Sequence, residues 1–196
     1  MKSILLLGSN RGDKLLLIER ASEMVSDLSS GVCILSSLYE SEPWGFDADE
    51  WFLNRAVLID TELKPEELLE KVLAIEEKLG RVRGEEVDKE KDKEKEKEKE
   101  KEKEKQKNKQ KQKQNENENG EREYSSREID IDIIFYGDLV QASEKLTIPH
   151  PRMHLRRFVL EPVAQIAPNL IHPVLGITVK QLLAECEDNS VVIKKT

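Results

Sequence analysis

The chain has 196 residues with 32 basic and 40 acidic side chains, and its charged fraction of 37% exceeds the roughly 25% of an ordinary globular domain. The excess lies between residues 85 and 120, so the remaining body carries the whole net charge of −8 and suffices for one domain of normal composition, not two. No apolar run approaches the roughly 20 residues of a membrane span, and the N-terminus lacks the apolar segment of a signal peptide, which together predict a cytoplasmic protein.

The first part of the chain predicts three strands and two helices. An apolar run at residues 3–7 predicts a buried strand that ends in a turn at 8–12. Asp13 is a candidate N-cap for a helix over 14–28, where apolar side chains recur with a period near 3.6. Strands are predicted at 32–39 and 52–60, and a second helix begins at Pro65 and runs to residue 79.

The part beyond residue 120 predicts one strand and two helices. Residues 127–136 alternate strongly between apolar and polar side chains, which is typical of a strand with one buried face. Residues 158–167 and 179–187 have helical patterns. The order of these elements indicates an α+β fold with a mixed or antiparallel sheet.

The segment 85–120 holds 13 lysines and 13 acidic residues and has no apolar face. As a strand, its alternation would place all lysines on one face and all glutamates on the other. As a helix, attractive pairs at i,i+3 would be offset by like-charge pairs at i,i+4. We expect a solvated chain, which serves either as a charged interaction arm or as a tolerated loop expansion.

The stretch Arg127 to Ile133 is the most informative one for chemistry. In a strand, Asp130 and Asp132 point to one face about 6.6 Å apart, while the isoleucines between them point into the core. Paired carboxylates form a hard oxygen site suited to Mg²⁺. The alternative is a solvent-facing strand that carries two aspartates without binding a metal.

Cationic residues flank this pair along the chain. Arg81 and Arg83 follow the second helix, Arg127 precedes the aspartates, and a stretch from His150 to Arg157 lies beyond them. Arginine donates bidentate hydrogen bonds to phosphate, and Mg²⁺ bridges phosphate oxygens, so this set is typical of phosphoryl or pyrophosphoryl transfer. For any single arginine, surface ion pairing remains the alternative.

Aromatic side chains and one asparagine form a second candidate site. Trp44, Phe46, Trp51 and Phe52 lie close to Asn54 in the sequence. Packing in the core is the default role of such rings, but an amide beside rings also suits a flat heterocycle. The two cysteines, Cys33 and Cys186, lack metal-ligand spacing and are expected to be reduced thiols.

Six motifs follow one another along the chain and cover nearly all of it except the charged segment and the last few residues. They are Gly8-Ser9-Asn10, Tyr39 to Gly45, Phe52-Leu53-Asn54, Glu76 with Gly80 to Arg83, Arg127 to Ile133, and Ile148 to Met153. Together and in this order, they resemble the 6-hydroxymethyl-7,8-dihydropterin pyrophosphokinase family of folate biosynthesis.

The resemblance implies a ferredoxin-like α+β sandwich with a mostly antiparallel sheet. It implies one pyrophosphokinase domain over residues 1–196, with 85–120 as a long insertion in the catalytic loop. The implied reaction transfers the β,γ-pyrophosphoryl group of ATP to 6-hydroxymethyl-7,8-dihydropterin and yields AMP and the pterin diphosphate.

The resemblance also implies roles for individual residues. Asp130 and Asp132 match the ligands of two Mg²⁺ ions, and Arg81 and Arg127 match arginines that stabilise charge on the transferring group. The positions that match the nucleotide site are Glu76, Arg83, Ile133, His150 and Arg156. The pterin site is matched by Asn54, by the backbone of Ser41, Glu42 and Trp44, and by the two sandwiching rings, Phe52 and Phe158.

Two other functions stay open on the residues alone. A Mg²⁺-dependent nucleotidyl- or glycosyltransferase would use the aspartate pair but has no use for an aromatic pocket around Asn54. A non-enzymatic RNA-binding module of ferredoxin-like fold would bring carboxylates against phosphate in a net-acidic protein. We expect a monomer that binds ATP and the pterin, and neither nucleic acid nor a membrane.

Overall fold

The computed structural model describes residues 1–44, 50–80 and 128–195. The strands in these ranges are β1 (Lys2–Ser9), β2 (Cys33–Leu35), β3 (Tyr39–Ser41), β4 (Phe52–Asp60), β5 (Asp130–Tyr136), β6 (Gln141–Ala142), β7 (Thr147–Ile148) and β8 (Val192–Lys194). The α-helices are α1 (Lys14–Ser26), α2 (Pro65–Lys78), α3 (Arg157–Ile166) and α4 (Val179–Glu185), and a short 3-10 helix occupies Met153–Leu155. The predicted arginines at 81, 83 and 127, Phe46 and the charged segment 85–120 lie outside the described residues.

The main sheet has the strand order β5-β1-β4-β3-β8, and β2 also pairs with β4. Within the described ranges every one of these pairings is antiparallel. Strands from both ends of the chain belong to this sheet, with β1 next to β5 and β8 next to β3, and with β4 and β3 between β1 and β8. The prediction of an α+β fold with an antiparallel sheet is confirmed.

Different helices cover the two faces of the sheet, because successive side chains of a strand point to opposite faces. Leu5 and Val57 are among the side chains that pack with α1 and α2 in one core. Leu6 and Ala56, the next residues along their strands, pack with α3 and α4 in a second core. The candidate site residues on the strands divide between these two faces in the same way.

The two N-terminal helices begin where the sequence predicts. The Asp13 Oδ1 accepts a hydrogen bond from the Leu16 N–H (3.1 Å) at the start of α1, and Pro65 is the first residue of α2. Helix α1 ends two residues before the predicted boundary, because the Leu28 N–H bonds to the Val25 oxygen in a tightened turn. None of the helices in the described ranges is long and apolar enough to cross a bilayer.

The prediction of one continuous strand at 32–39 is wrong. The structure divides it into β2 and β3, which both pair with β4. Between them, the Ser36 Oγ accepts a hydrogen bond from the Ala56 N–H (2.9 Å), and the Ser36 N–H donates to the Ala56 oxygen (2.9 Å). The serine hydroxyl thus takes a place that a backbone carbonyl would hold in a regular ladder.

Other differences concern the ends of elements. Gly8 and Ser9, predicted as part of a turn, are the last two residues of β1. The described part of the predicted strand 127–136 is regular only from Asp130, and the helices predicted at 158–167 and 179–187 are α3 and α4. The sequence does not predict β6, β7 or β8, because strands of two or three residues are too short for an alternating pattern.

Candidate functional site

Asp130 and Asp132 lie on the face of the sheet that α3 and α4 cover. Asp130 pairs with Gly8 and Asp132 with Leu6 on the neighbouring strand β1. Both aspartates are half-buried, whereas Ile131 is buried in the core on the opposite face. The predicted alternation of carboxylates and core side chains along this strand is confirmed.

Asn54 lies in the same row of residues as Asp130, two strands away. Gly8 pairs with Asp130 on one side and with Asn54 on the other, so all three share one face. Strands lie about 4.8 Å apart, which places the Asn54 and Asp130 backbones roughly 10 Å from each other. The carboxylate pair and the buried amide therefore flank one shared floor.

Gly8 forms that floor because it has no side chain. A Cβ at this position would lie 3.3 Å from the Asn54 Oδ1, which is closer than an ordinary van der Waals contact. Reading Gly8 as a turn residue missed this role, and no local signal in the sequence points to it. The strand register alone places the glycine between the two polar groups.

The Asn54 amide has a fixed orientation. Asn54 and Ser41 are both buried, and the Asn54 Nδ2 donates a hydrogen bond to the Ser41 Oγ (2.9 Å). Phe52, two residues earlier on β4, is half-buried and belongs to the same face. Since the Nδ2 is engaged by Ser41, the Oδ1 of Asn54 is the amide atom suited to accept a hydrogen bond from a ligand.

Arg156 links the predicted nucleotide and pterin residues. Its guanidinium carbon lies 4.6 Å from the ring centroid of Trp44 and 5.7 Å from that of Phe158. The arginine is buried despite its charge, and both distances are within the range of cation–π contacts. The structure thus brings two predicted pterin residues together around a predicted ATP ligand.

His150 lies beside the carboxylates and is uncharged at neutral pH. Burial, together with the positive charges of Arg156 and Arg152, lowers its pKa to about 4, although Asp130 acts in the opposite direction. The His150 Nδ1 accepts a hydrogen bond from the Arg152 N–H (3.3 Å). The ring proton therefore belongs on Nε2, which makes that atom a hydrogen-bond donor.

Glu76 supports the strand that carries the two aspartates. It is buried on α2, and its Oε1 accepts a hydrogen bond from the Ile131 N–H (2.8 Å), between Asp130 and Asp132. Strand β5 is the edge of the sheet in the described part of the chain, so this N–H faces away from β1. The Glu76 carboxyl group thus accepts the hydrogen bond that a neighbouring strand would otherwise accept from this N–H.

The side chain of Ile133, a predicted nucleotide residue, lies apart from His150 and the aspartates. Its side chain is buried in the core under α1 and α2, on the face opposite the aspartates. Only its backbone is placed to contribute to a site on the other face. Arg81, Arg83 and Arg127 belong to the predicted set as well but lie outside the described residues.

The residues present fit a magnesium site that a substrate completes. In the described part of the chain no group of three or more His, Cys, Asp or Glu side chains is placed to hold a metal ion. Mg²⁺ is commonly bound through one or two carboxylates together with substrate phosphates and water. Asp130 and Asp132, with hard oxygen donors on one half-buried face, match that pattern.

Comparisons with known proteins identify relatives of this chain. The chain is 34% identical to the 2-amino-4-hydroxy-6-hydroxymethyldihydropteridine pyrophosphokinase of Methylorubrum extorquens, over 94% of this chain and 93% of that protein. It is 35% identical to the protein of the same name from Porphyromonas gingivalis, over 85% and 90% of the two chains. It is 33% identical to the folic acid synthesis protein fol1 of Pneumocystis carinii, of which it covers 20%.

Solved structures with the same fold carry an additional region. The Plasmodium falciparum HPPK-DHPS with pteroate superposes with a TM-score of 0.60 at 15% identity, over 94% of this chain and 44% of that one. The chain thus spans less than half of that structure, and at this identity the likeness concerns the fold. A sequence model described as 7,8-dihydro-6-hydroxymethylpterin-pyrophosphokinase (HPPK) matches residues 4–168. The chain belongs to this family.

Proposed function

We propose that this site transfers the β,γ-pyrophosphoryl group of ATP to the hydroxymethyl group of 6-hydroxymethyl-7,8-dihydropterin, as a step of folate biosynthesis. Membership of the HPPK family supports the reaction. The observation that carries it is the shared floor at Gly8, which separates a carboxylate pair from a buried amide on one face. A phosphate donor and a flat acceptor would each find suitable groups on opposite sides of that floor.

The acceptor side would bind the pterin. The Asn54 Oδ1 would accept a hydrogen bond from a ring N–H, since its Nδ2 is held by Ser41. The backbone of Ser41, Glu42 and Trp44 would read the remaining ring edge, and Phe52 and Phe158 would sandwich the ring. This arrangement would point the hydroxymethyl group across Gly8 toward the aspartates.

The donor side would bind ATP with magnesium. Asp130 and Asp132 would hold two Mg²⁺ ions, which, when bound, neutralise phosphate charge and lower the pKa of the attacking hydroxyl. The pterin hydroxyl oxygen would attack the β-phosphorus, the bond from that phosphorus to the AMP oxygen would break, and the hydroxyl proton would be released. Arg81 and Arg127 would stabilise the charge that develops.

The nucleotide would contact several further residues. The neutral His150 would donate from its Nε2 to a phosphate oxygen, which the bond from Arg152 to its Nδ1 supports. Arg83 and Arg156 would add positive charge, and Ile133 would contribute through its backbone because its side chain is buried on the other face. Glu76 would act near the nucleotide while it supports β5.

The same proposal covers the organisation of the chain. We infer one ferredoxin-like pyrophosphokinase domain over residues 1–196, in which 85–120 is an insertion in the catalytic loop. The pairing of β5 with β1 and of β8 with β3 supports one domain, because both ends of the chain share one sheet. We further infer a monomer that acts in the cytoplasm and binds neither nucleic acid nor a membrane.

One assay tests the reaction directly. The protein is mixed with ATP, Mg²⁺ and 6-hydroxymethyl-7,8-dihydropterin, and AMP is measured against a sample without the pterin. We expect AMP to form only when the pterin is present and to match the pterin diphosphate in amount. Absence of pterin-dependent AMP would contradict the proposal and leave the transferase and RNA-binding alternatives to be tested.

A further inference from the structure

The C-terminal segment 188–195 returns to the candidate site although it lies beyond residue 168, where the family match ends. Its strand β8 covers the outer side of β3, with Val192 paired to Ser41 and Ile193 paired to Glu40. The Lys195 Nζ also forms an ion pair with the Glu40 Oε2 (2.9 Å). The strand that carries Ser41 is therefore held from both sides, by β4 and by β8.

The segment makes a first junction with the predicted pterin-reading backbone. The Val191 N–H donates to the Glu42 Oε2 (2.9 Å), and the Glu42 N–H donates to the Val191 oxygen (3.3 Å). These two hydrogen bonds hold Glu42 just after the end of β3, two residues before Trp44. The position of this backbone thus depends on the C-terminal segment.

Asp188 makes a second junction, with the first residue of α3. Its Oδ2 accepts a hydrogen bond from the Arg157 N–H (2.8 Å), and its Oδ1 accepts one from the Ser190 N–H (3.0 Å). The N-cap residue of this helix is Arg156, and its side chain makes no capping hydrogen bond. Asp188 supplies the missing acceptor at the positive end of the helix dipole.

The charge of Asp188 suits this position. Burial opposes its ionisation, but hydrogen bonds from the Arg157 and Ser190 backbone N–H groups, together with the Arg157 charge, lower its pKa overall. Arg157 lies between Arg156 and Phe158, and both of these neighbours line the predicted site. A shift of the Arg157 backbone would move both of them.

The two junctions are close together along the chain. Three peptide steps separate Asp188 from Val191, a reach of roughly 11 Å even for extended backbone. One junction holds the stretch that leads to Trp44, and the other holds the helix end that carries Phe158. A short segment therefore links the two stretches that carry these rings, which both contact the Arg156 guanidinium.

We propose that residues 188–195 are a positioning element for the acceptor side of the site, with Asp188 as its main positioning residue. This inference rests on the proposed function, because it assigns the segment to the pterin rather than to ATP. The aspartate pair and His150 are held by β5 and its neighbours, since the His150 N–H donates to the Ile134 oxygen (3.0 Å). The contacts of the segment described above are with β3, with Glu42 and with the start of α3, so it is expected to leave the aspartate pair and His150 in place.

Steady-state kinetics of an Asp188→Ala variant test the proposal, with Glu187→Ala, at an exposed neighbouring residue, as the matched control. We expect the KM for the pterin to rise about tenfold in Asp188→Ala, as for the loss of a hydrogen bond to a charged group. The KM for ATP should rise less than the KM for the pterin, because Arg156 is the one nucleotide residue in the described ranges that adjoins Arg157. Both KM values of the Glu187→Ala control should change by less than about twofold. Asp188→Asn keeps an oxygen acceptor for the Arg157 N–H and should restore most of the pterin KM.

The outcomes separate this inference from the proposed function. If the wild-type chain forms no pterin-dependent AMP, the proposed function and the inference both fail. If the wild type is active but Asp188→Ala raises both KM values equally, or lowers only the melting temperature, the segment is merely structural and this inference alone is overturned. Should Asp188→Ala not fold, Val191→Pro is measured instead, because it removes the N–H that donates to the Glu42 Oε2. An unshifted pterin KM in a folded Val191→Pro would also overturn the inference.

Discussion

The aspartates of β5 derive their chemistry from strand geometry. Alternation places Asp130 and Asp132 on one face and buries Ile131 on the other, so the two carboxylates share a small patch. Two negative charges on neighbouring positions of one strand face repel each other unless a cation lies between them. The sequence was sufficient to predict this pair, because it depends only on local backbone conformation.

Replacement of Asp132 by alanine tests the role of the pair. We expect Asp132→Ala to lower kcat by more than about a hundredfold, because a metal ligand contributes several kcal/mol of charge stabilisation in the transition state. Circular dichroism and the melting temperature should stay close to those of the wild type. The control is Asp138→Ala, at an exposed turn after β5, which should leave kcat unchanged. Loss of folding in Asp132→Ala would favour a structural role for the carboxylate.

His150 predicts a pH dependence of stability. Its pKa is about 4 in the folded chain and about 6.5 in an unfolded chain, because burial and two arginines disfavour the charged ring. As the pH falls below 6.5, the unfolded state takes up a proton that the folded state does not bind until the pH nears 4. The contribution of His150 to the free energy of unfolding should therefore be fully present above pH 6.5. It should decrease by about 3 kcal/mol as the pH falls from 6.5 to 4.

Urea unfolding of the wild type and of His150→Gln measures this effect. The free energy of unfolding of the wild type should fall more steeply between pH 6.5 and 4.5 than that of His150→Gln. His150 should also titrate near pH 4 in an NMR experiment on the folded protein. An equal pH dependence in both chains, or a His150 pKa near 6.5, would contradict the prediction.

Helix α2 acts on the site through one buried carboxylate. The Glu76 Oε1 accepts a hydrogen bond from the Ile131 N–H at the edge of β5, so this bond joins the helix to the strand that carries the aspartates. The sequence places Glu76 near a conspicuous Gly80 to Arg83 motif but contains no signal for a bond to β5. This contact joins residues far apart in the chain and depends on how the helix packs across the sheet.

The Glu76 contact predicts a measurable loss of stability. Glu76→Ala leaves the Ile131 N–H without its acceptor, which we expect to lower the free energy of unfolding by about 1–3 kcal/mol. Glu76→Gln keeps an oxygen acceptor and should lose less. Glu77→Ala changes an exposed neighbour on the same helix and serves as the control in urea unfolding. Equal losses in Glu76→Ala and Glu77→Ala would show that the carboxylate does not support the strand.

Whole elements were predicted well where their pattern was long. Strand β4, helix α2 and most of α1 match the predicted boundaries, because alternation or a 3.6-residue period continues over nine or more residues. The predicted strand at 32–39 was wrong, since the Ser36 hydroxyl interrupts pairing with β4 through a distant partner, Ala56. The sequence also did not predict the short strand β8, because its three residues form a strand only by pairing with the distant strand β3.

At the scale of the whole chain, one sheet contains strands from both ends of the described sequence. Strand β5 comes after the charged segment yet pairs with β1, and β8 pairs with β3. A loop inserted between paired strands adds little closure entropy as it lengthens. The net negative charge of the chain does not prevent binding of the polyanion ATP. Binding depends on the nearby arginines and on the carboxylates that suit Mg²⁺, because electrostatic interactions are strongest at short range.

Shortening the charged segment tests this organisation. Replacement of residues 86–119 by a few glycines and serines should change the free energy of unfolding by less than about 1 kcal/mol, because loop closure entropy varies slowly with length. The shortened and full-length chains are compared by thermal and urea unfolding under the same buffer conditions. A large drop in melting temperature on shortening would mean that the segment packs against the rest of the protein.

Local patterns in the chain were enough to predict the class of fold, the long elements, the aspartate pair and the family resemblance. They were not enough to predict the floor at Gly8, because a glycine becomes a spacer only when Asn54 and Asp130 pair on either side of it. The link from Asp188 to Arg157 likewise appears only in the folded chain. Strand register and helix packing join residues distant in sequence, and no local periodicity encodes which distant residues will meet.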